Sequence, residues 1–205
     1  MNVERAVVRA LVAELGLMKT VLTLLRLGWS KLTYHPFAHL EQACNADESL
    51  ARAHVRDALI LYRSIEPLDR GNPLMTFERV MSQGAQAFLR DAIGVVDVER
   101  YQSESTEARR AWVKGLLTRF PNAEADVLET SDRRVKFSVS RCRYVELAQV
   151  AGYPMVAKAF CVGDRAFFES QPAGISFQRE KSIASGADHC PFELVMIDET
   201  SDPRN

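Results

Sequence analysis

Three cysteines, Cys142, Cys161 and Cys190, fall in the last third of a 205-residue chain, together with Asp164, Arg179, Ser182 and His189. Thiols supply nucleophiles or soft metal ligands, a carboxylate moves protons, and a guanidinium holds an anion. No other stretch of the sequence concentrates groups able to do chemistry in this way.

Cys161 and Asp164 stand three residues apart in a segment of helical spacing, so their side chains share one face, with Phe168 a turn further on. A carboxylate beside a thiol disfavours the thiolate, because two negative charges repel. The pair therefore suits either metal ligation or a base and a nucleophile that are not both ionised. A buried, inert cysteine beside a solvated aspartate is the plainer alternative. Cys190 opens an alternating run with Phe192, Leu194 and Met196 on its own face, and His189 points the opposite way if the strand has begun. Cys142 follows a strand at the entry to a loop, with parity opposed to Val135, Phe137 and Val139. It joins their layer only if the strand breaks. Arg179 shares parity with Ile175 and Phe177, and a guanidinium on such an apolar face needs an anion: Asp164, the surroundings of Glu180, or a substrate carboxylate.

Three thiols and Asp164 would suit tetrahedral zinc by ligand type, yet separations of 19 and 29 residues match no compact zinc knuckle. No residue is therefore assigned to a metal, and zinc is kept as the alternative cofactor. His35 and His39 have helical ligand spacing but flank Pro36, Cys44 lacks a companion, and His54 lies among core positions of a helix, where an internal hydrogen bond is the usual outcome.

The elements that must position these groups are helices first and strands second. Val7, Leu11, Leu15, Met18, Leu22 and Leu25 recur in steps of three and four and predict one long amphipathic helix from Val3 with a buried stripe. Core packing is favoured over a membrane-surface helix because the polar face carries both charge signs. Pro36 interrupts the pattern. A second helix follows from a cap at Asp47 to about Ile65, a third from Thr76 to Gly94, and a fourth from about Ser105 to Phe120. After Pro121 the period becomes 2, giving strands near Asp126 to Thr130 and Arg134 to Ser140 joined at Asp132-Arg133. Pro154 then starts a helix through Phe168, and extended runs over Gly174 to Ser185 and Cys190 to Asp198 close the domain. The expectation is an α+β fold in one domain, 1–198: a helical part, 1–120, packed on an antiparallel sheet with one or two helices, 121–198. The polar residues 199–205 read as a flexible tail.

With 26 basic and 27 acidic residues the net charge is -1, so no global field favours nucleic acid or an anionic membrane as partner. Charged residues from Glu4 to Arg26 break up the N-terminal apolar stretch as a secretory signal or spanning helix, and few cysteines argue against a disulfide framework. The expected setting is the cytoplasm, with a small-molecule carboxylate as partner and a homo-oligomer allowed.

Taken together, Cys142, Cys161-Val-Gly-Asp164, Phe177-Gln-Arg179, Ser182-Ile-Ala-Ser-Gly186 and Cys190-Pro-Phe192 resemble the L-2-amino-thiazoline-4-carboxylic acid hydrolase family. Its C-terminal signature looks like Cys-x-x-Asp followed by Arg-x-x-Thr-x-Ala-x-Gly-x-x-x-Cys-x-Phe, a resemblance spanning about residues 135 to 198. Ser182 replaces the threonine and keeps its hydroxyl; Ala187 replaces a polar residue after the glycine. The same closing phrase is similar to vinyl-reductase-type sensor domains, but the zinc-ligand offsets of those domains hold Arg179 and Ser182 here.

The resemblance implies a hydrolase that opens a small cyclic compound at a non-peptide C–N or C=N bond, with L-2-amino-thiazoline-4-carboxylate as the named example. The residues expected to do so are Cys161 or Cys190 as nucleophile and Asp164 as acid and base. Arg179 and Ser182 would hold the substrate carboxylate, with Cys142 and His189 lining the site. A non-catalytic small-molecule sensor and a natural-product tailoring enzyme are the alternatives.

Overall fold

The computed structural model describes residues 2–120, 122–171 and 175–196. The expected tail 199–205 lies outside the described residues. The order is α1 (Val3–Leu15), α2 (Leu17–Thr33), α3 (Ala46–Ile65), α4 (Pro73–Ala92), α5 (Val98–Ser103), α6 (Thr106–Leu117), β1 (Ala123–Thr130), β2 (Arg134–Cys142), α7 (Arg143–Val150), α8 (Pro154–Glu169), β3 (Ile175–Gln178), a short 3-10 turn (Ile183–Ser185) and β4 (Cys190–Met196). The strands form one antiparallel sheet in the order β1-β2-β4-β3, so the fold is α+β, with its sheet in the C-terminal half.

Local chemistry sets most of these boundaries. Asn45 accepts a hydrogen bond from the Glu48 amide and Asn72 from the Met75 amide, so asparagines cap α3 and α4 in place of the expected Asp47 and Thr76. Thr76 instead donates to Asp69 at 2.8 Å. Ser105 caps α6 and Pro154 opens α8, as expected. The long first helix is two helices: Gly16 takes φ +78°, a conformation costly for a side chain, and turns the axis between α1 and α2. The expected stripe survives only on α1, where Leu11 is fully buried. Beyond Gly16, Met18, Leu22 and Leu25 face solvent and Thr20 and Thr23 face inward.

Two hydrophobic clusters meet along α8. Leu11, Val55, Leu59, Phe77, Val80 and Leu147 make a helical cluster with Val156 and Ala159 from the first half of α8. Val135, Phe137, Phe177, Phe192 and Leu194 make a sheet cluster with Phe167 and Phe168 from its second half. Each fully buried side chain of this size contributes about 1.5–3 kcal/mol. Between the halves, Gly163 lets α8 approach α4 until a Cβ at that position would overlap the side chain of Ala85. That contact sets the height and rotation of the face bearing Cys161 and Asp164.

One register detail decides where Cys142 points. β1 pairs Ala123 with Cys142, Glu124 with Arg141 and then Ala125 with Val139, so Ser140 is an extra residue in β2. The bulge reverses the alternation. Cys142 therefore falls on the same side as Val139 and Phe137, packed against the helical cluster.

Candidate active site

Arg179 is the hub. It follows β3 with a side chain only 8% exposed, donates to Asp164 Oδ2 at 3.0 Å and to the Cys161 carbonyl at 2.6 Å, and lies over the rings of Phe192 and Phe177 at 5.1 and 5.6 Å. An apolar, aromatic bed leaves the guanidinium few counter-charges, and the pair to Asp164 supplies one. Two of its five donors are thus engaged.

Burial pushes the Asp164 carboxyl up to about 6, against the pull of Arg179. Its side chain nevertheless keeps 33% of its surface accessible. Cys142 and Cys161 are likewise only partly covered, and the space beside these three side chains is the candidate recess. Burial raises the Cys161 thiol to about 12, with Arg179 lowering it and Asp164 raising it. Cys161 therefore keeps its proton at neutral pH.

Cys142 is placed differently. It is the N-cap residue of α7, a helix standing where the sequence pattern indicates a loop, and Asn122 Nδ2 donates toward its sulfur at 3.9 Å. Burial raises its thiol, while the amides of Val145 and Tyr144 draw it back down. These amides close no formal cap hydrogen bond, but they aim the positive end of α7 at the sulfur. Cys190 is 6% exposed and accepts from the Ile183 amide at 3.1 Å. Burial raises it too, offset by that amide and by Arg179.

Tyr144 escaped sequence reasoning. Its ring packs on Phe160 at 4.3 Å, and its phenol meets His54 Nδ1 at 2.6 Å, within electrostatic range of both Cys142 and Asp164. Burial lowers His54, so the imidazole stays neutral and accepts the phenol proton, while burial keeps Tyr144 protonated. The available signal was Cys142-x-Tyr144, once α7 is known to start at Arg143. Glu48 ties α3 to the same turn: it takes two hydrogen bonds from Arg143, at 2.6 and 2.7 Å, and one from Arg52 at 2.6 Å.

Ser182 and His189 stand apart from this recess in their bonding. Ser182 is buried, its hydroxyl on Ser185 Oγ at 3.0 Å, and its carbonyl accepts from the Ser185 and Ala187 amides. It holds the turn that delivers the Ile183 amide to Cys190. Ala187 joins that turn through its backbone alone, so loss of a polar side chain there leaves it intact. His189 pairs with exposed Asp188 at 2.7 Å, and Lys181 holds the same carboxylate at 3.1 Å. Among the described residues, no three His, Cys, Asp or Glu side chains converge as a metal site. A groove between α1 and α4, lined by Ala10, Glu14, Met75, Arg79 and Val162, contains none of these groups.

Asp164 and Arg179 are thus in contact where the two clusters join, and Cys142, Cys161 and Cys190 lie within electrostatic range of one another or of that pair. No curated protein matches the chain. The family model for L-2-amino-thiazoline-4-carboxylic acid hydrolase matches residues 71–194, starting well before residue 135 and taking in α4 to α6 as well as the sheet and the recess. With more than half its length matched, the chain belongs to the L-2-amino-thiazoline-4-carboxylic acid hydrolase family.

Proposed function

We propose that this recess hydrolyses a small cyclic amidine carboxylate such as L-2-amino-thiazoline-4-carboxylate, breaking the ring bond between C2 and nitrogen. The observation that carries the reading is Asp164: a carboxyl raised to about 6, fixed by Arg179, one third exposed and within electrostatic range of Cys161 and Cys190. Membership of the family supports the substrate class.

The electrophilic ring carbon becomes tetrahedral on attack, so a nucleophile and a proton carrier are required. Cys142 is the nucleophile of this reading, partly buried beneath the amides of α7 and the Asn122 amide, which lower its thiol against the effect of burial. In this mechanism its proton passes to ionised Asp164 as sulfur bonds to C2. The substrate enters as the cationic amidine, so its ring nitrogen already carries one proton; Asp164 returns a second to it as the C–N bond breaks and the exocyclic nitrogen takes up the double bond. Water then adds to C2, giving a proton to Asp164, and as the C2–O bond becomes a carbonyl the Cys142 sulfur leaves with its electron pair and recovers its proton by way of Asp164. The product carries a free amine and a thiocarbamate on the former ring sulfur, one water heavier than the substrate. Tyr144, its one O–H held by His54, offers its oxygen as acceptor to the substrate's exocyclic amino group, and Arg179, with donors beyond those on Asp164 and the Cys161 carbonyl, anchors the carboxylate. Cys161 and Cys190 line and support the recess as thiols.

The test is turnover of L-2-amino-thiazoline-4-carboxylate by purified protein, followed by mass spectrometry of the ring-opened product. Product formed by the wild type and lost in Cys142→Ser and Asp164→Asn supports the mechanism. Saturable binding without product makes the chain a binder and ends the hydrolase reading.

A further inference from the structure

α2 presents its apolar side outward. At 100° per residue, Leu17, Met18, Val21, Leu25, Trp29 and Leu32 fall within an arc of about 120°. All are exposed, with Met18, Trp29 and Leu32 at 77%, 70% and 75%. The opposite face is the one that packs. Thr20 and Thr23 are buried with their hydroxyls turned back onto the carbonyls of Gly16 and Lys19, at 2.8 and 2.9 Å, which leaves their methyls to the protein. Arg56 of α3 donates to the carbonyls of Lys31 and Tyr34, and Arg63 lies over the Tyr34 ring at 4.4 Å, pinning the C-terminal end of α2. The outward orientation is thus built in from behind.

Charge identifies the occupant. α2 carries Lys19, Arg26 and Lys31 and no acidic residue. Arg26 and Lys19 project along one rim of the apolar arc and Lys31 along the other. Lys19 lies near Asp69, while Arg26 and Lys31 form no ion pair among the described residues. The mixture of signs that speaks for core packing belongs to α1, which carries Glu4 and Glu14, and Gly16 separates the two helices. Two copies pressed together through this face would bring six cations to one interface without a carboxylate from either α2. An apolar stripe with a tryptophan, on a helix whose only charged side chains are cations, instead complements lipid tails beneath anionic headgroups.

We propose that α2 docks the protein in the plane of a bilayer surface that carries anionic headgroups. The helix lies flat, since no helix among the described residues is long and apolar enough to cross a membrane. The net charge of -1 conceals this local asymmetry.

Flotation of the full chain with phosphatidylcholine vesicles, with and without phosphatidylglycerol, tests the proposal. Binding to the mixed vesicles is expected to exceed binding to the neutral ones by roughly tenfold or more and to weaken with salt. Trp29 emission shifts to the blue on binding; the shift persists in Trp112→Phe and disappears in Trp29→Phe. Leu25→Glu abolishes flotation, and Arg26→Glu weakens it by roughly tenfold while removing no apolar contact. Equal binding to both vesicle types, or no flotation, overturns the proposal. So does a concentration-dependent dimer that Leu25→Glu dissociates, which assigns the face to a second copy.

Discussion

Arg179 binds the carboxylate of Asp164 and, with its other terminal nitrogen, the backbone carbonyl of Cys161, so one guanidinium grips both ends of the same turn of α8. Asp164 is pushed up to about 6 by burial and held from going higher by this contact. The mechanism needs it ionised at the moment of attack. Accordingly kcat/KM should rise with pH through about 6. Arg179→Gln removes the lowering influence and should move that limb to higher pH. Asp164→Asn should erase the limb and cost about 10²–10⁴ in rate. A limb at the same pH in both variants assigns it to another group.

The three thiols should separate by reactivity. Cys142 is partly buried beneath helix amides that lower its thiol, Cys161 is raised to about 12, and Cys190 is buried. Alkylation read by peptide mass spectrometry should label Cys142 before Cys161 and Cys190, with exposed Cys44 as reference. Cys161→Ser should keep most of the activity that Cys142→Ser loses. The reverse pattern would transfer the nucleophile to α8.

Tyr144→Phe removes the phenol that His54 accepts, leaving a half-buried imidazole nitrogen without its 2.6 Å partner. Stability should fall by about 1 kcal/mol. Turnover should fall further than that structural cost explains, with kcat affected more than KM. A variant with wild-type kcat would reduce Tyr144 to a packing residue.

Glu48 is lowered to about 2, mainly by Arg143, with Arg52 assisting. Its folded value lies below the unfolded one, so its stabilisation is complete above about pH 4.5 and is lost as pH falls toward 2. The pair is only 24% and 12% exposed, so solvent screens it little. Glu48→Gln should cost about 1–3 kcal/mol at neutral pH and only a small fraction of that near pH 2, read from urea unfolding at both. An equal cost at both values would point to packing in place of charge.

Gly163→Ala should force α8 off α4, because the new methyl would overlap Ala85. Overpacking of this kind costs about 1–3 kcal/mol. Turnover should fall with it, since the same movement carries Cys161 and Asp164. Adding Ala85→Gly should restore both. Failure of the double variant to recover would place the defect elsewhere.

Periodicity and capping chemistry are local, and they determined much of this protein from the sequence alone: helices before strands, an antiparallel sheet, the start of α8 at Pro154, and the phrases that carry the family signature. The shared face of Cys161 and Asp164, and the parity that sends Arg179 toward an anion, were equally legible, because both depend on residue spacing within one element. Tertiary structure decided the rest. The extra residue at Ser140 exists only in the pairing of β1 with β2, yet it turns Cys142 inward; α7 and Tyr144 become part of the site only after that turn. Likewise the apolar repeat of the first 33 residues predicts amphipathic helix but not which side is covered. Gly16 broke it in two, and packing on α3 buried the threonines of α2 and left its leucines outside. Alternation reports that a helix or strand has two unlike faces; which face meets protein depends on neighbours distant in the chain, and so on the fold.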